Sequence, residues 1–482
     1  MKFSLLIPEI TLFSGALLIL MLDVFFNKKN EKFQFFAHFF ALIICGIALA
    51  FAVKTFGSYE TAFNDMINSR ALISFIKCIV IALLTFIILI SIRYIFTIEK
   101  YSSEYLALLM IATVGGLLMI SANDLLLFYL GLELQALSLY LLASFNVKSA
   151  KSSEAGIKYF ILGSLASGIL LFGISMVYGF SGTTNLTLIK DLIEKTKPDE
   201  IPVGLIFGLI MVITAMLFKI SSAPFHMWAP DVYQGAPSAV LAFFGTVVKF
   251  STVMALLLLS YSANWQILSK IFLIVAMASI VVGSFGAIFQ KNIKRLLAFS
   301  SIGHIGFVLL ALCSMQKYSY ISAILYMIIY SIISLGTFAF LTIIRSPQTH
   351  ENDATDDKIF NINSLAGLAK TNPTLALSLS ILMFSSAGIP PLAGFFSKFY
   401  IIKTAILTGL LPYAIIAVIF SAVSAFYYLR IVKIMYFDQP NAHIEIEDLG
   451  NSRLVIILCA IFNVAFIFSI DILYNSIANF IN

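Results

Sequence analysis

The chain has 482 residues, 60% hydrophobic and 11% charged, with a formal net charge of +6. Its mean hydropathy of +1.00 excludes a soluble globular domain, in which roughly a quarter of residues are charged. Continuous apolar runs such as "CIVIALLTFIILISI" exclude a membrane β-barrel, whose strands alternate over about 10 residues, and the small basic excess fits cytoplasmic loops rather than a nucleic-acid surface.

Apolar windows of about 20 residues, long enough to cross hydrocarbon as a helix, recur along the whole length. They predict an all-α polytopic membrane protein with about 14 transmembrane helices. The first apolar run has no small-residue cleavage site behind it and reads as a retained first span. Spans 1 to 3 fall at roughly 3–26, 34–54 and 71–96, and spans 4 to 6 at roughly 105–122, 124–145 and 155–180. Span 7, roughly 203–235, is interrupted, and span 8 follows at roughly 237–260. Spans 9 to 11 lie at roughly 268–289, 295–315 and 319–345. Span 12, roughly 374–409, is again interrupted, and spans 13 and 14 lie at roughly 412–436 and 453–480. No soluble domain is expected, and the polar insert 346–370 reads as a loop.

Loops after odd-numbered spans carry Lys28, Lys29, Lys32, Lys100, Lys148, Lys151, Lys291, Lys294, Arg295, Lys358 and Lys370. Those after even-numbered spans carry fewer, except for 181–202, where Lys190, Lys195 and Lys197 are offset by Asp191, Glu194, Asp199 and Glu200. The positive-inside rule therefore places odd loops in the cytoplasm and both termini on the outer side.

Two interruptions share a pattern. "FKISSAPFHMW" starts at Phe218 and "MFSSAGIPPLAGFFSKFY" at Met383; each sets Ser-Ser-Ala before proline inside a long apolar segment. They fall in spans 7 and 12. An offset of five spans inverts the orientation, so the pattern predicts two inverted five-helix repeats, spans 4–8 and 9–13, with spans 7 and 12 discontinuous. The corresponding units are 1–104, 105–260, 268–437 and 452–482. Proline removes a backbone donor and clashes with the preceding turn, and freed backbone groups persist in a membrane only where protein or water satisfies them. Ser221, Ser222, Ser385 and Ser386 are placed to supply part of that. The alternative is a plain proline kink.

Ionisable residues cluster at the same depth. Glu133 is central in "NDLLLFYLGLELQALSLYLLASF" and Lys249 in "AVLAFFGTVVKFSTVMALLLLS", too far from either end to snorkel comfortably. Lys219 stands at the first break and Lys398 just after the second, with His226 and His304 between them. A charge at that depth costs about 2.5–3.5 kcal/mol even on lenient scales. The row Glu133, Lys219, Lys249, His304, Lys398 reads as a proton relay, in which a Glu133–Lys219 pair would couple the two titrations. A static ion pair is the alternative for Glu133 and Lys249, a polar contact at a kink for Lys219, and a satisfied core histidine for His226 and His304. Ser300 and His304 share a helix face. Lys158 is near a span end and could snorkel; Lys77 and Arg93 read as interface anchors, Asp124 as a helix-start carboxylate, and Trp228 and Trp265 as belt residues.

Cys45, Cys78, Cys313 and Cys459 all lie in apolar runs without paired spacing, so neither a disulfide framework nor a metal site is expected. GxGxxG, Walker and HExxH patterns are absent, and no cofactor is expected on this chain.

The stretches "FKISSAPFHMWAPDVYQGAPSAVLAFFGTVVKF" and "NIKRLLAFSSIGHIGFVLL" resemble the proton-conducting antiporter-like subunits of respiratory complex I. Within that family "PDVYQGAPS" is similar to the N-type branch of bacterial NADH–quinone oxidoreductase rather than to the L and M types or the Mrp antiporters. The resemblance implies relay roles for Glu133, Lys219, Lys249 and Lys398, secondary polar roles for Lys158 and His226, and a place for His304 in the span 10 motif. It implies a bacterial inner-membrane subunit beside an M-type neighbour and a small K-type subunit. It also implies outward proton transfer coupled to quinone reduction, with NADH, FMN, iron–sulfur clusters and quinone held by other subunits. A sodium/proton antiporter subunit and a non-transporting membrane scaffold are the competing readings.

Overall fold

The computed structural model describes residues 3–25, 31–57, 60–98, 102–263, 268–345, 358–440, 445–447 and 450–481. Lys28, Lys29, Lys100, Trp265, residues 346–357 of the 346–370 insert and the side chains of Lys32 and Arg93 lie outside that description.

Helix dominates because lipid offers the backbone no hydrogen-bond partner. Helices α1 to α6 are Ile7–Phe25, Glu31–Lys54, Ala71–Ile98, Ser102–Ser121, Leu125–Ala143 and Ala150–Ser181. A lateral helix, α7 (Leu186–Lys195), precedes the two halves of span 7, α8 (Val203–Lys219) and α9 (Trp228–Gly235). Span 8 is α10 (Ser238–Phe243), a π-turn Phe244–Val248 and α11 (Lys249–Ala263). Then come α12 (Ser269–Ile288), α13 (Ile293–Leu312) and α14 (Lys317–Thr342). Span 12 is α15 (Pro373–Ala387) plus α16 (Ala393–Leu407), followed by α17 (Leu411–Phe437), α18 (Gly450–Ala465) and α19 (Ile470–Ile481). Among the described residues, 12 helices are long and apolar enough to cross a membrane. The two interrupted spans complete the expected multi-pass, all-α architecture.

Four details depart from the sequence reading. The connection 181–202 is not plain loop: α7 presents an apolar face, burying Leu186 and Ile189. The last span is divided at the 3₁₀ turn Phe466–Phe468. Trp228 is not in the belt; it is buried inside the first break, stacked on Tyr159 at 4.5 Å. Lys77 is not an interface anchor but forms a buried ion pair with Glu9 of α1 at 2.6 Å. Asp124 caps α5, accepting from the Leu126 and Leu127 amides, as a carboxylate at a helix start should.

Span 8 and α14 are buried over nearly their whole length, whereas α17 lies mostly on the perimeter. In lipid, helices associate through close packing of small residues rather than hydrophobic driving force. Gly173 of α6 and Gly208 of α8 show this: a Cβ on either would stand 2.9 Å from the other's carbonyl oxygen.

Both termini lie on one face. Phe3 packs on Phe63, and Phe480 on Phe56, within and beside the β1–β2 hairpin (Glu60–Ala62 and Ile67–Ser69) that joins α2 to α3. The inversion shows in the loops as well as in the breaks. Asp124, before span 5, forms an isolated antiparallel bridge with Asn185, after span 6. Asn292, before span 10, forms the same bridge with Asn361, after span 11, on the opposite face. Each is flanked by the same two bonds: Leu125 N to Thr184 O and Leu186 N to Asn123 O, both 2.9 Å, against Ile293 N to Phe360 O and Ile362 N to Lys291 O, both 2.8 Å.

Removing one member of a buried ion pair strands the other charge, at a cost of about 3–5 kcal/mol, whereas replacing both with apolar residues is near neutral. Lys77→Met should destabilise the chain by about that amount, and Glu9→Met/Lys77→Met should regain most of it. A double-mutant cycle of unfolding in detergent checks this; equal losses in the single and double variants would show that the pair is not the cause.

Candidate proton-transfer site

The first break begins where α8 ends. Lys219 is its last residue, Ile220 caps it, and Ser221 turns the chain with φ +59°. Pro224 cannot donate, so side chains satisfy the opened backbone. Ser222 Oγ donates to Leu217 O at 2.9 Å, and Trp228 Nε1 to Phe218 O at 3.0 Å. The Ala223 amide donates to Ser279 Oγ of α12 at 2.9 Å.

Lys219 Nζ donates to Tyr140 Oη at 3.1 Å and sits 5.3 Å from that ring. Tyr140 lies two helical turns beyond Glu133 on α5, on the same face. Glu133 is half-buried, its Oε1 enclosed without a hydrogen-bond partner. Among the described residues no direct ion pair joins Glu133 to Lys219; the Lys219 ammonium meets Tyr140.

Lys249, 5% exposed, follows the π-turn, a distortion common at functional sites. Its Nζ donates to Ser301 Oγ of α13 at 2.7 Å and to Ser221 Oγ at 3.2 Å. It therefore spans from the first break to the second repeat. Hydrogen bonds to a charged group contribute about 1.5–3 kcal/mol each, and burying that charge costs about 2.5–3.5 kcal/mol. With both hydroxyls the ammonium is tolerated; with one it is marginal.

His304 lies one turn further along α13. Its Nδ1 meets Tyr326 Oη of α14 at 2.6 Å and its Nε2 meets Tyr428 Oη of α17 at 3.0 Å. Ser300 does not bond His304 directly; both reach the same Tyr428 hydroxyl.

At the second break α15 ends at Ala387 and Gly388 takes φ +87°. Ser385 Oγ donates to Asn463 Oδ1 of α18 at 2.6 Å and accepts from the Gly394 amide at 2.9 Å. A Cβ at Gly394 would fall 1.8 Å from Ser385 O, so the chain can return only through glycine. Buried Lys398 reaches back to Ala387 O at 2.9 Å and to Ser421 Oγ of α17 at 3.0 Å, with the Phe307 ring at 5.4 Å. A cation at the helix C-terminus meets the negative end of its dipole.

The secondary residues lie apart from this row. His226 is half-buried beside Phe299, with Nδ1 enclosed and unpartnered. Lys158, its side chain 41% exposed, pairs with Glu154 at 2.7 Å and Asp231 at 2.8 Å; Asp231 also receives Arg295 at 2.6 Å. These groups line a 220 Å³ pocket with Lys151 and Gln234, on the face opposite the termini. Sequence reasoning passed over Tyr140, Tyr326, Tyr428, Ser301 and Ser421, because single hydroxyls in apolar helices carry no periodic signal. It read Lys294 only as a loop charge, yet Lys294 is buried, bonded to Ala236 O at 3.2 Å and 3.9 Å from the Phe360 ring.

Two broken spans with ionisable side chains packed around them define a polytopic membrane protein of the discontinuous-helix kind. Residues 122–442 match the family described as "NADH:quinone oxidoreductase/Mrp antiporter, TM", and the chain belongs to that family. It is 40% identical over 466 residues to NADH-quinone oxidoreductase subunit N 1 of Rhizobium meliloti, covering 95% of this chain and 93% of that one. It is likewise 40% identical to subunit N of Pelagibacter ubique, over 95% of this chain and 96% of the relative. A chain of respiratory complex I from Thermus thermophilus with bound Aureothin superposes with TM-score 0.81 at 26% identity, covering 97% of this chain and 99% of that chain. A chain of the Mrp complex from Dietzia shares the fold, with TM-score 0.85 at 18% identity, covering 100% of this chain and 97% of that chain.

Ser301→Ala leaves Lys249 with its longer bond alone. Loss of about 1.5 kcal/mol or more of support should slow proton transfer about tenfold. Proton uptake by vesicles containing the assembled protein checks this, with Ser380→Ala, whose hydroxyl bonds Ala376 O of its own helix, as the comparison.

Proposed function

We propose that this chain is a proton-translocating membrane-arm subunit of an NADH–quinone oxidoreductase, in the position of subunit N. The observation that carries the reading is Lys249, whose two hydroxyl partners tie the first break to the second repeat. The relatives named subunit N, alike over nearly the whole chain, support it.

Glu133 and Lys219, with Tyr140 bonded to the lysine, hold a proton in the first repeat, 105–260. Lys249 receives it and passes it through the Ser301 and His304 region toward Lys398 in the second repeat, 268–437. Each step moves one proton between oxygen and nitrogen atoms; no electron is carried. Hydroxyls suit this because they both accept and donate. His226 and Lys158 serve the side opposite the termini, where Lys158 orients Asp231. Residues 1–104 and 452–482 frame the repeats and meet neighbouring subunits, with the M-type and K-type subunits as the immediate ones. The redox centres, NADH, FMN, iron–sulfur clusters and quinone, belong to other subunits. Both termini face the outer, periplasmic side, as the basic loops on the other face require. The likeness to the Mrp chain at 18% identity concerns the fold alone and does not favour an antiporter.

Lys219→Ala and Glu133→Ala should each remove most quinone-linked proton pumping from vesicles while the complex still assembles. Pumping at the parental rate in an assembled complex would leave only the scaffold reading. Co-purification with hydrophilic redox subunits is expected; isolation with sodium-transport subunits alone would favour the antiporter.

A further inference from the structure

Helix α15 carries four serines, and three of them behave alike. Ser378, Ser380 and Ser386 each turn the hydroxyl onto the carbonyl four residues back: Thr374 O at 2.9 Å, Ala376 O at 2.7 Å and Leu382 O at 2.9 Å. That is the usual bond of a serine inside an apolar helix. Ser385 departs from it. Its Oγ donates to Asn463 Oδ1 of α18 and accepts from the Gly394 amide of α16. Ser385 and Asn463 are both fully buried.

The Gly394 amide needs this partner. It belongs to the first turn of α16, whose leading N–H groups have no carbonyl within their own helix. Leu392, which precedes that helix, has no side-chain oxygen, so the usual cap is missing. Ser385 supplies it from across the break. Turned back onto Ile381 O, four residues away, the Oγ would point along its own helix instead. Asn463 is what draws it out. Its amide is itself oriented, because Nδ2 donates to Cys459 O at 2.8 Å and leaves Oδ1 facing Ser385.

Gly394 stands one turn before Lys398 on the same face of α16. The start of α16 therefore sets where the Lys398 ammonium falls against Ala387 O and Ser421 Oγ. At the first break an amide is held by Ser279 of α12, a helix of the second repeat. At the second break the support comes from α18, which lies outside both repeats.

We propose that Asn463 is a positioning residue: it draws the Ser385 hydroxyl out of α15 to cap α16, and so holds Lys398 in place at the second break. The inference rests on the reading of Lys398 as a proton carrier. It gives the C-terminal span a part in transfer and not in framing alone.

The test uses the assembled complex, with quinone-linked pumping measured in liposomes and the second break imaged by electron cryomicroscopy. Asn463→Leu keeps the size of the side chain and removes the acceptor. It should lower pumping about fivefold, the effect of one buried hydrogen bond. The map should show Ser385 Oγ turned onto Ile381 O, the Gly394 amide released and Lys398 Nζ moved from Ala387 O. Ser385→Ala should lower pumping equally, and the double variant no further, because the two residues act as one unit. Losses that multiply would reveal two separate structural effects and overturn the proposal. Ser378→Ala, which removes an ordinary within-helix bond, should pump at the parental rate; an equal loss there would also overturn it. An unchanged break in Asn463→Leu overturns the positioning and leaves the relay reading intact. A displaced Lys398 with parental pumping upholds the positioning and refutes Lys398 as a carrier. Should Asn463→Leu not assemble, Ser385→Ala decides by the same map, and Gly394 and Lys398 still in place would overturn the proposal.

Discussion

The Lys249 ammonium, held between Ser221 and Ser301, is the contact on which the arrangement turns. A bilayer leaves no backbone or charged group to water, so each polar atom at mid-depth needs a partner built for it. The break in span 7 creates one partner, by turning Ser221 into the left-handed region and aiming its hydroxyl inward. Helix α13 supplies the other. Without the break, Lys249 would face a closed helix with no free acceptor, and burial would cost more than the remaining contacts offset.

The two breaks are related by inversion yet use their lysines differently. Lys219 ends the first half-helix of span 7, while Lys398 lies on the second half-helix of span 12 and folds back to Ala387 O. In space both stand near the C-terminal end of the first half-helix, where the dipole is negative. The geometry is conserved between the repeats; the position in sequence that delivers the charge is not.

Much of this was legible in the residues. Unbroken apolar windows gave the spans, and Ser-Ser-Ala before proline marked both breaks, because composition and helix breakers act locally. Mid-span charges were conspicuous for the same reason. What stayed hidden depends on contacts distant in sequence. Nothing near Lys77 announces Glu9, and nothing near Trp228 shows that it fills a break rather than a membrane interface. Tyr140 on Lys219, and Tyr428 joining Ser300 to His304, are invisible because a tyrosine in an apolar helix reads as bulk. The bridge pairs are equally silent: Asp124 and Asn292 look like ordinary caps, and only the fold brings Asn185 and Asn361 opposite them.

The hydroxyls also explain why the site can be both tight and exchangeable. An ion pair in direct contact would hold Glu133 and Lys219 charged and resist transfer, since separating buried opposite charges is costly. Lys219 instead meets Tyr140, whose hydroxyl can both accept and donate. The same holds at Ser301, Tyr326 and Tyr428, each of which can serve a charged or a neutral nitrogen by rotating one O–H. A small rotation at any of them changes which nitrogen is better solvated. Such a rotation needs no change in the packing of the helices.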